Sequence, residues 1–397
     1  MMDAYLPYGC YWSTPFCRWQ GAFSHLHALE FAAFQARHEL KVRSIEPALF
    51  DFGVLGATGP QHHSFYGLPW VTGLIGAPHV PGPTINQACA TSVRSLATAA
   101  RSIAHGDASC VFVITADRTS NGPHIYYPAP TAPGGTGASE DWVLDNFSND
   151  PFSRCGMIQT AENVSRKWAI GTEQQNDIVL RRYAQYQDAL ASGSRFLARF
   201  MTLPFDVPDA SFERIKSRID GDQGVHPADA DRIRTLSPVL KDGTVTFAGQ
   251  THPADGSAAA IVTTRDKARE LSRKPVTVCI VAFGEHREDL AMMPVAPVGA
   301  AKRALAVADL TMNDIAAVKS HNPFIVNDIV FAHEMGCDVT TMNNFGCSLV
   351  WGHPQGPTGL RGVIELIEEL EMRGGGYGLF QGCAAGDSAM AVIIKVE

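Results

Sequence analysis

The sequence predicts an α/β fold made of two related α/β units, with a loop domain inserted in the first. Three observations carry this reading. Helical and strand-like apolar patterns alternate along the chain, a polar and aromatic-rich stretch interrupts them, and the later part repeats the layout of the earlier part. The chain has 397 residues, 45% hydrophobic and 18% charged, which excludes disordered and low-complexity classes. Lys and Arg number 32 against 40 Asp and Glu, a net charge of −8. With no dense basic run, neither nucleic acid nor an anionic membrane is expected as a partner. No apolar stretch of about 18 residues predicts a membrane span, and the start carries no basic-then-apolar leader pattern, so a cytoplasmic location is expected. Nine cysteines without a C-x-x-C pair are expected to be reduced thiols.

Leu26, Leu29, Phe31, Ala32, Ala33 and Phe34 predict a buried helix, and residues 49–55 a short strand before Gly56. Val93, Leu96, Ala97, Ala100, Ile103 and Ala104 recur at helical spacing. After the turn at Gly106-Asp107, Val111-Phe112-Val113-Ile114 reads as a central-sheet strand. The character changes over about 121–243, the inserted loop domain, with polar helices expected at 160–168 and 172–191. Strands are expected again at 245–247 and 258–262, completing an N-terminal half of 1–270. The C-terminal half, 271–397, opens with a strand at 276–282. Helices at 298–308, 326–335 and 360–370 follow, with strands at 315–318 and 377–380. Asn86-Gln87-Ala88-Cys89, leading into a helix, a turn and a strand, has a counterpart in Asn344-Phe345-Gly346-Cys347. A duplicated layout with a site at the junction is implied.

Cys89 stands where a loop enters the helix beginning near Thr91. Unpaired N–H groups at a helix N-terminus favour a thiolate, which makes Cys89 a candidate nucleophile; the alternative is a small buried apolar residue. His353 lies in Gly352-His353-Pro354-Gln355-Gly356-Pro357-Thr358-Gly359, a tight loop suited to aiming an imidazole, the natural base for a thiol. Cys383, in Gly382-Cys383-Ala384-Ala385-Gly386, follows the last predicted strand. His321, in Ser320-His321-Asn322-Pro323-Phe324, follows the strand at 315–318. Together these suggest a Cys-nucleophile, His-base centre with a second thiol for proton transfer. The same four side chains lack the short pairwise spacing of structural zinc, so no metal site is expected. Gly134-Gly135-Thr136-Gly137 has no Lys-Ser/Thr after it and does not read as a phosphate loop.

Taken in order, these segments resemble the thiolase family over nearly the whole chain. The matching segments are residues 86–92 around Cys89, residues 157–164 (MIQTAENV), Leu236-Ser237-Pro238-Val239 with Asp242-Gly243-Thr244-Val245-Thr246, Gly352-His353-Pro354 with Thr358-Gly359, and Gly382-Cys383. The resemblance implies a duplicated α/β/α/β/α layered fold. It makes Cys89 the acyl-accepting nucleophile, His353 its base and Cys383 the group that exchanges a proton with the α-carbon of an acetyl-CoA portion. It places one oxyanion site at the backbone N–H groups of Cys89 and Ala385, where the usual family residue is glycine. His321 stands in the segment that usually reads N-E-A-F and here is closer to the H-D-x-F form of sterol-carrier-like thiolases, so it could donate to a thioester oxygen. Thr251 and His252 fall where the pantetheine arm is expected, in an altered segment. Met157 is either a wall of the acyl pocket or core packing, and Tyr126, Tyr127, Trp142 and Phe147 either shape a pocket for a bulky acyl group or pack the interior.

The activity implied by the resemblance is cleavage of a 3-oxoacyl-CoA by CoA into acyl-CoA and acetyl-CoA, as in β-oxidation, through an acyl-Cys89 intermediate. Coenzyme A is a substrate, no cofactor is tightly bound, and the assembly expected is a homodimer or tetramer. Two alternatives are a divergent carbon–carbon lyase or condensing subunit that needs a small partner protein, and a non-catalytic acyl-CoA-binding protein.

Overall fold

The computed structural model describes residues 3–226 and 228–397; Met1, Met2 and Pro227 lie outside the described residues, so the first two positions of the leader reading do as well. The N-terminal half begins with β1 (Tyr11–Ser13), β2 (Cys17–Arg18), α1 (Ala28–Val42), β3 (Phe52–Gly56), α2 (Gly67–Leu74), β4 (Thr84–Ile85), α3 (Thr91–His105) and β5 (Cys110–Asp117). The insertion carries a hairpin of β6 (His124–Tyr127) and β7 (Ala138–Asp141), then α4 (Leu144–Ser148), α5 (Met157–Lys167) and α6 (Thr172–Ser194). A second hairpin of β8 (Phe205–Pro208) and β9 (Ile215–Ile219) and the short α7 (Ala230–Arg234) complete it. β10 (Ala254–Thr263) and α8 (Arg265–Leu271) return to the main body. The C-terminal half contains β11 (Val278–Arg287), α9 (Ala296–Ala308), β12 (Ile315–His321), α10 (Ile325–Met335), α11 (Ser348–Trp351), α12 (Gln355–Met372), β13 (Gly376–Ala384) and β14 (Ser388–Val396).

The duplication is plain in the sheets. The first runs β1-β10-β5-β3-β4 and the second β11-β14-β13-β12. In each, the second strand is antiparallel to both neighbours, and the third pairs in parallel with the fourth. The parallel pair needs a crossover, which α3 supplies in the first half and α12 closes in the second. α1 covers one face of the first sheet, α3 and α12 pack together between the sheets, and α9 covers the far face of the second. The result is five layers, α/β/α/β/α. β5 and β10 are buried along their whole length, which explains their unbroken apolar runs.

Being central has a cost for α12, in which every residue from Gly356 to Leu370 is buried, four charged ones among them. Each charge is paired. Arg361 forks onto Asp222 at 2.6 and 2.7 Å and reaches Glu365 at 3.0 Å, and Lys319 meets Glu365 at 2.9 Å. Glu368 accepts from Tyr8, Tyr11 and Arg199, and Glu369 accepts through one oxygen from Arg373 and Asn344, both at 2.7 Å. Unpaired, such groups would cost several kcal/mol each, of order 3–5. Gly362 admits this packing, because a Cβ there would lie 2.4 Å from the Phe380 ring.

One expected strand does not form. Residues 245–247 make only a single bridge, Pro238 to Thr246, and run into a 3-10 turn at Phe247–Gly249. The reason is local: the buried carboxylate of Glu162 takes the N–H groups of Thr244 and Val245 at 2.8–2.9 Å, leaving them unavailable to a neighbouring strand. β14 and the two hairpins of the insertion go beyond the elements expected from periodicity. Among the described residues no helix is long and apolar enough to cross a membrane.

Candidate active site

Cys89 sits on a strained elbow between β4 and α3. Ala88 holds φ of 45°, unusual for a residue with a Cβ. The turn is braced by side chains, with Ala88 N–H donating to Asn86 Oδ1 at 2.9 Å and Gln87 N–H donating to Thr91 Oγ1 at 2.8 Å. The sulfur then faces a loop 264 residues away in sequence, with His353 Nε2 at 3.1 Å. Gly352, at φ of 95° and with no room for a Cβ beside Ala254 and His252, lets that loop turn His353 inward.

The tautomer of His353 follows from its other neighbour. Thr358 Oγ donates its proton to the Pro354 carbonyl at 2.6 Å, so toward His353 Nδ1, 2.7 Å away, it can only accept. Nδ1 therefore carries the proton, and the Nε2 lone pair points at the thiol.

Burial pushes the Cys89 thiol up to about 12, although the N–H groups of Ala385 and Cys89 lean on the sulfur and oppose the rise. Burial likewise drives His353 down to about 3, with His252 adding to the effect. The thiolate expected from the helix N-terminus is thus corrected. In this dry site desolvation outweighs the helix end, and the resting pair is a neutral thiol and a neutral imidazole.

His321 is completely buried and stacks on His353, with centroids 4.0 Å apart. Burial, and then His353, hold it well below the ordinary histidine range. Its Nδ1 lies 2.9 Å from Ser348 Oγ, which also accepts from Asn322 N–H and lies 3.1 Å from Asn322 Oδ1. The hydroxyl proton can go to His321 or to Asn322, so Ser348 decides which ring nitrogen carries hydrogen. Nε2 has no partner among the described residues. Beneath it, Asp328 gathers Ser320, Asn322, Asn343 and Arg182 at 2.6–3.0 Å and fixes the segment.

Cys383, near the end of β13, is fully buried, its thiol raised by burial and by Cys89 and its sulfur accepting from Asn327 Nδ2 at 3.2 Å. Thr251 N–H donates to Pro323 O at 2.7 Å and its hydroxyl to Ser348 O at 2.5 Å, so this side chain braces the loop. The His252 carbonyl accepts from His353 N–H at 2.9 Å, and its ring is lowered to about 4 by burial. Met157 opens α5 and packs, half-buried, on the main core. Tyr126 and Tyr127 are exposed on their hairpin, whereas Trp142 donates to Thr58 O at 3.0 Å and lines a cavity of about 290 Å³ with Thr58, Thr84 and Asn86.

Sequence reasoning gave no role to Thr358, Ser348, Asn327 or Asp117. Asp117 ends β5, is raised to about 6 by burial, and accepts from Thr58 and Gly356, tying both halves at the elbow. An acidic residue closing the strand that the apolar run Val111-Phe112-Val113-Ile114 opens was the available signal. Against the expectation of no metal-ligating set, one donor atom each from Cys89, His321 and His353 lies within 4.8 Å of the others.

Residues 12–266 match the family described as Thiolase, N-terminal domain, and residues 274–396 that described as Thiolase, C-terminal domain. The chain is 30% identical over 321 residues to an acetyl-CoA acetyltransferase of Chromobacterium violaceum, covering 79% of this chain and 80% of the relative. It is 27% identical to that of Paracoccus denitrificans, covering 96% and 97%. The solved structure of human mitochondrial 3-ketoacyl-CoA thiolase superposes with a TM-score of 0.89 at 25% identity, covering 99% of each chain.

Proposed function

The chain belongs to the thiolase family, and on that premise we propose that it is a CoA-dependent acyltransferase that cleaves a 3-oxoacyl-CoA with CoA. The observation that carries the reading is the 3.1 Å approach of Cys89 Sγ to a His353 Nε2 lone pair held in place by Thr358.

The thiol attacks the 3-oxo carbon as its proton passes to His353 Nε2. The N–H groups of Cys89 and Ala385, already directed at the sulfur, suit the oxygen that becomes negative in that step. The C2–C3 bond breaks, leaving an acyl-Cys89 thioester, and Cys383 donates its proton to C2 so that acetyl-CoA departs. The thiol of a second CoA then attacks the thioester and passes its proton to Cys383, and the proton on His353 returns to the Cys89 sulfur as acyl-CoA leaves. Splitting the reaction this way exchanges one difficult step for two easier ones. For His321 to donate to a thioester oxygen, Ser348 must give its hydroxyl proton to His321 Nδ1, placing hydrogen on Nε2.

Mixing the protein with a panel of 3-oxoacyl-CoA esters and reading the mass left on the Cys89 peptide tests the proposal and identifies the acyl group. An acyl adduct on Cys89 that disappears on adding CoA is expected. Full turnover by Cys89→Ala would overturn it.

A further inference from the structure

The acyl chemistry uses Cys89 and His353 as a pair, yet a third soft donor converges on them. Donor atoms of Cys89, His321 and His353 lie within 4.8 Å of one another, and His321 Nε2 is buried without a hydrogen-bond partner among the described residues. No carboxylate is in this set. We propose that the three side chains form a binding site for a zinc-class divalent cation, and that its occupation silences the enzyme by capturing the nucleophile.

The donor set decides the class of ion. One thiol and two imidazoles suit zinc and its borderline-soft neighbours, whereas calcium and magnesium require oxygen ligands. Zinc bonds of about 2.3 Å to sulfur and 2.0 Å to nitrogen put tetrahedral ligand atoms about 3.3–3.5 Å apart. Cys89 Sγ and His353 Nε2, at 3.1 Å, already stand near that bite. The third donor needs to close by at most about 1.5 Å, and His321 must turn out of its stack on His353 to aim its lone pair at the shared ion.

The outer contacts fit as well. A ligating histidine is normally oriented by an acceptor on its other ring nitrogen; His353 has Thr358 and His321 has Ser348. With the Ser348 proton directed to Asn322 Oδ1, His321 donates from Nδ1 and presents a bare Nε2. One ring thus serves a metal in one tautomer and an acyl oxygen in the other. Binding replaces the S–H bond of Cys89 with a sulfur–metal bond and releases that proton to solvent; nothing is oxidised or reduced.

The test uses the full chain washed free of metal, titrated with Zn²⁺ and, for its visible and near-ultraviolet spectrum, Co²⁺. One equivalent of Zn²⁺ should slow alkylation of Cys89 at pH 9 at least tenfold, reversibly with EDTA, and Co²⁺ should develop a thiolate charge-transfer band. His321→Asn should bind Zn²⁺ at least tenfold more weakly, and Cys89→Ala should lose the band. Equal shielding of Cys89 in His321→Asn, or no shielding in the unaltered chain, would overturn the proposal. If His321→Asn does not fold, Cys89→Ala decides, since a Co²⁺ thiolate band retained there places the metal elsewhere. Metal binding is read without substrate, so a chain inert toward every 3-oxoacyl-CoA would refute the acyl reading, and the silencing that rests on it, while leaving the metal site standing.

Discussion

Replacing Thr358 with valine keeps its shape and removes one oxygen. In the native site that oxygen accepts from His353 Nδ1–H at 2.7 Å while its own proton is committed to Pro354 O. Without it, the Nδ1–H is a buried donor with no acceptor, a penalty of about 1–3 kcal/mol. The ring escapes by moving its proton to Nε2, which then faces the Cys89 sulfur with hydrogen instead of a lone pair. General-base assistance is worth about 10²–10⁴-fold, so acylation of Cys89 should fall by at least about 100-fold with little change in KM. The assay is single-turnover transfer from a 3-oxoacyl-CoA, followed by intact-protein mass spectrometry. Thr358→Ser, which restores the hydroxyl, should recover most of the rate. Valine within threefold of the native rate, or serine as slow as valine, would refute the tautomer argument.

Two further outcomes follow from burial. A thiol pushed up to about 12 is about a thousandfold less ionised at pH 7 than one near 9. Iodoacetamide labelling of Cys89 should therefore be slow at pH 7 and rise nearly tenfold per pH unit through pH 10; a plateau across neutral pH would mean a thiolate–imidazolium pair instead. Asp328→Ala strands the buried Arg182 guanidinium, now paired at 2.8 Å with neither side chain exposed, and should destabilise the fold by about 3–5 kcal/mol. A urea midpoint that places the loss below 1 kcal/mol would contradict it.

The setting of the candidate site residues was legible in the amino-acid order wherever local backbone geometry encodes it. Cys89 before α3, Gly352 ahead of His353, and Gly382 ahead of Cys383 are short-range patterns, and a short-range pattern survives in a linear text. The alternation of α3 and β5 was readable for the same reason, since periodicity reports which face is buried. Residues 245–247 have the composition of a strand, but Glu162, some 80 positions earlier, claims the N–H groups of Thr244 and Val245 at its start.

Protonation was beyond the sequence altogether. A helix N-terminus argues for a thiolate at Cys89, and only the folded chain reveals that burial wins. The tautomer of His353 rests on a hydroxyl whose proton is spent elsewhere, and that of His321 on Ser348. The gathering of one sulfur and two imidazoles depends on β12, the loop before α12 and the elbow before α3 meeting between two sheets. Their places at loop and strand ends group residues 89, 321 and 353 in the sequence, but neither their separations nor their desolvation can be read there, because both belong to contacts between distant segments, and those exist only once the chain has closed on itself.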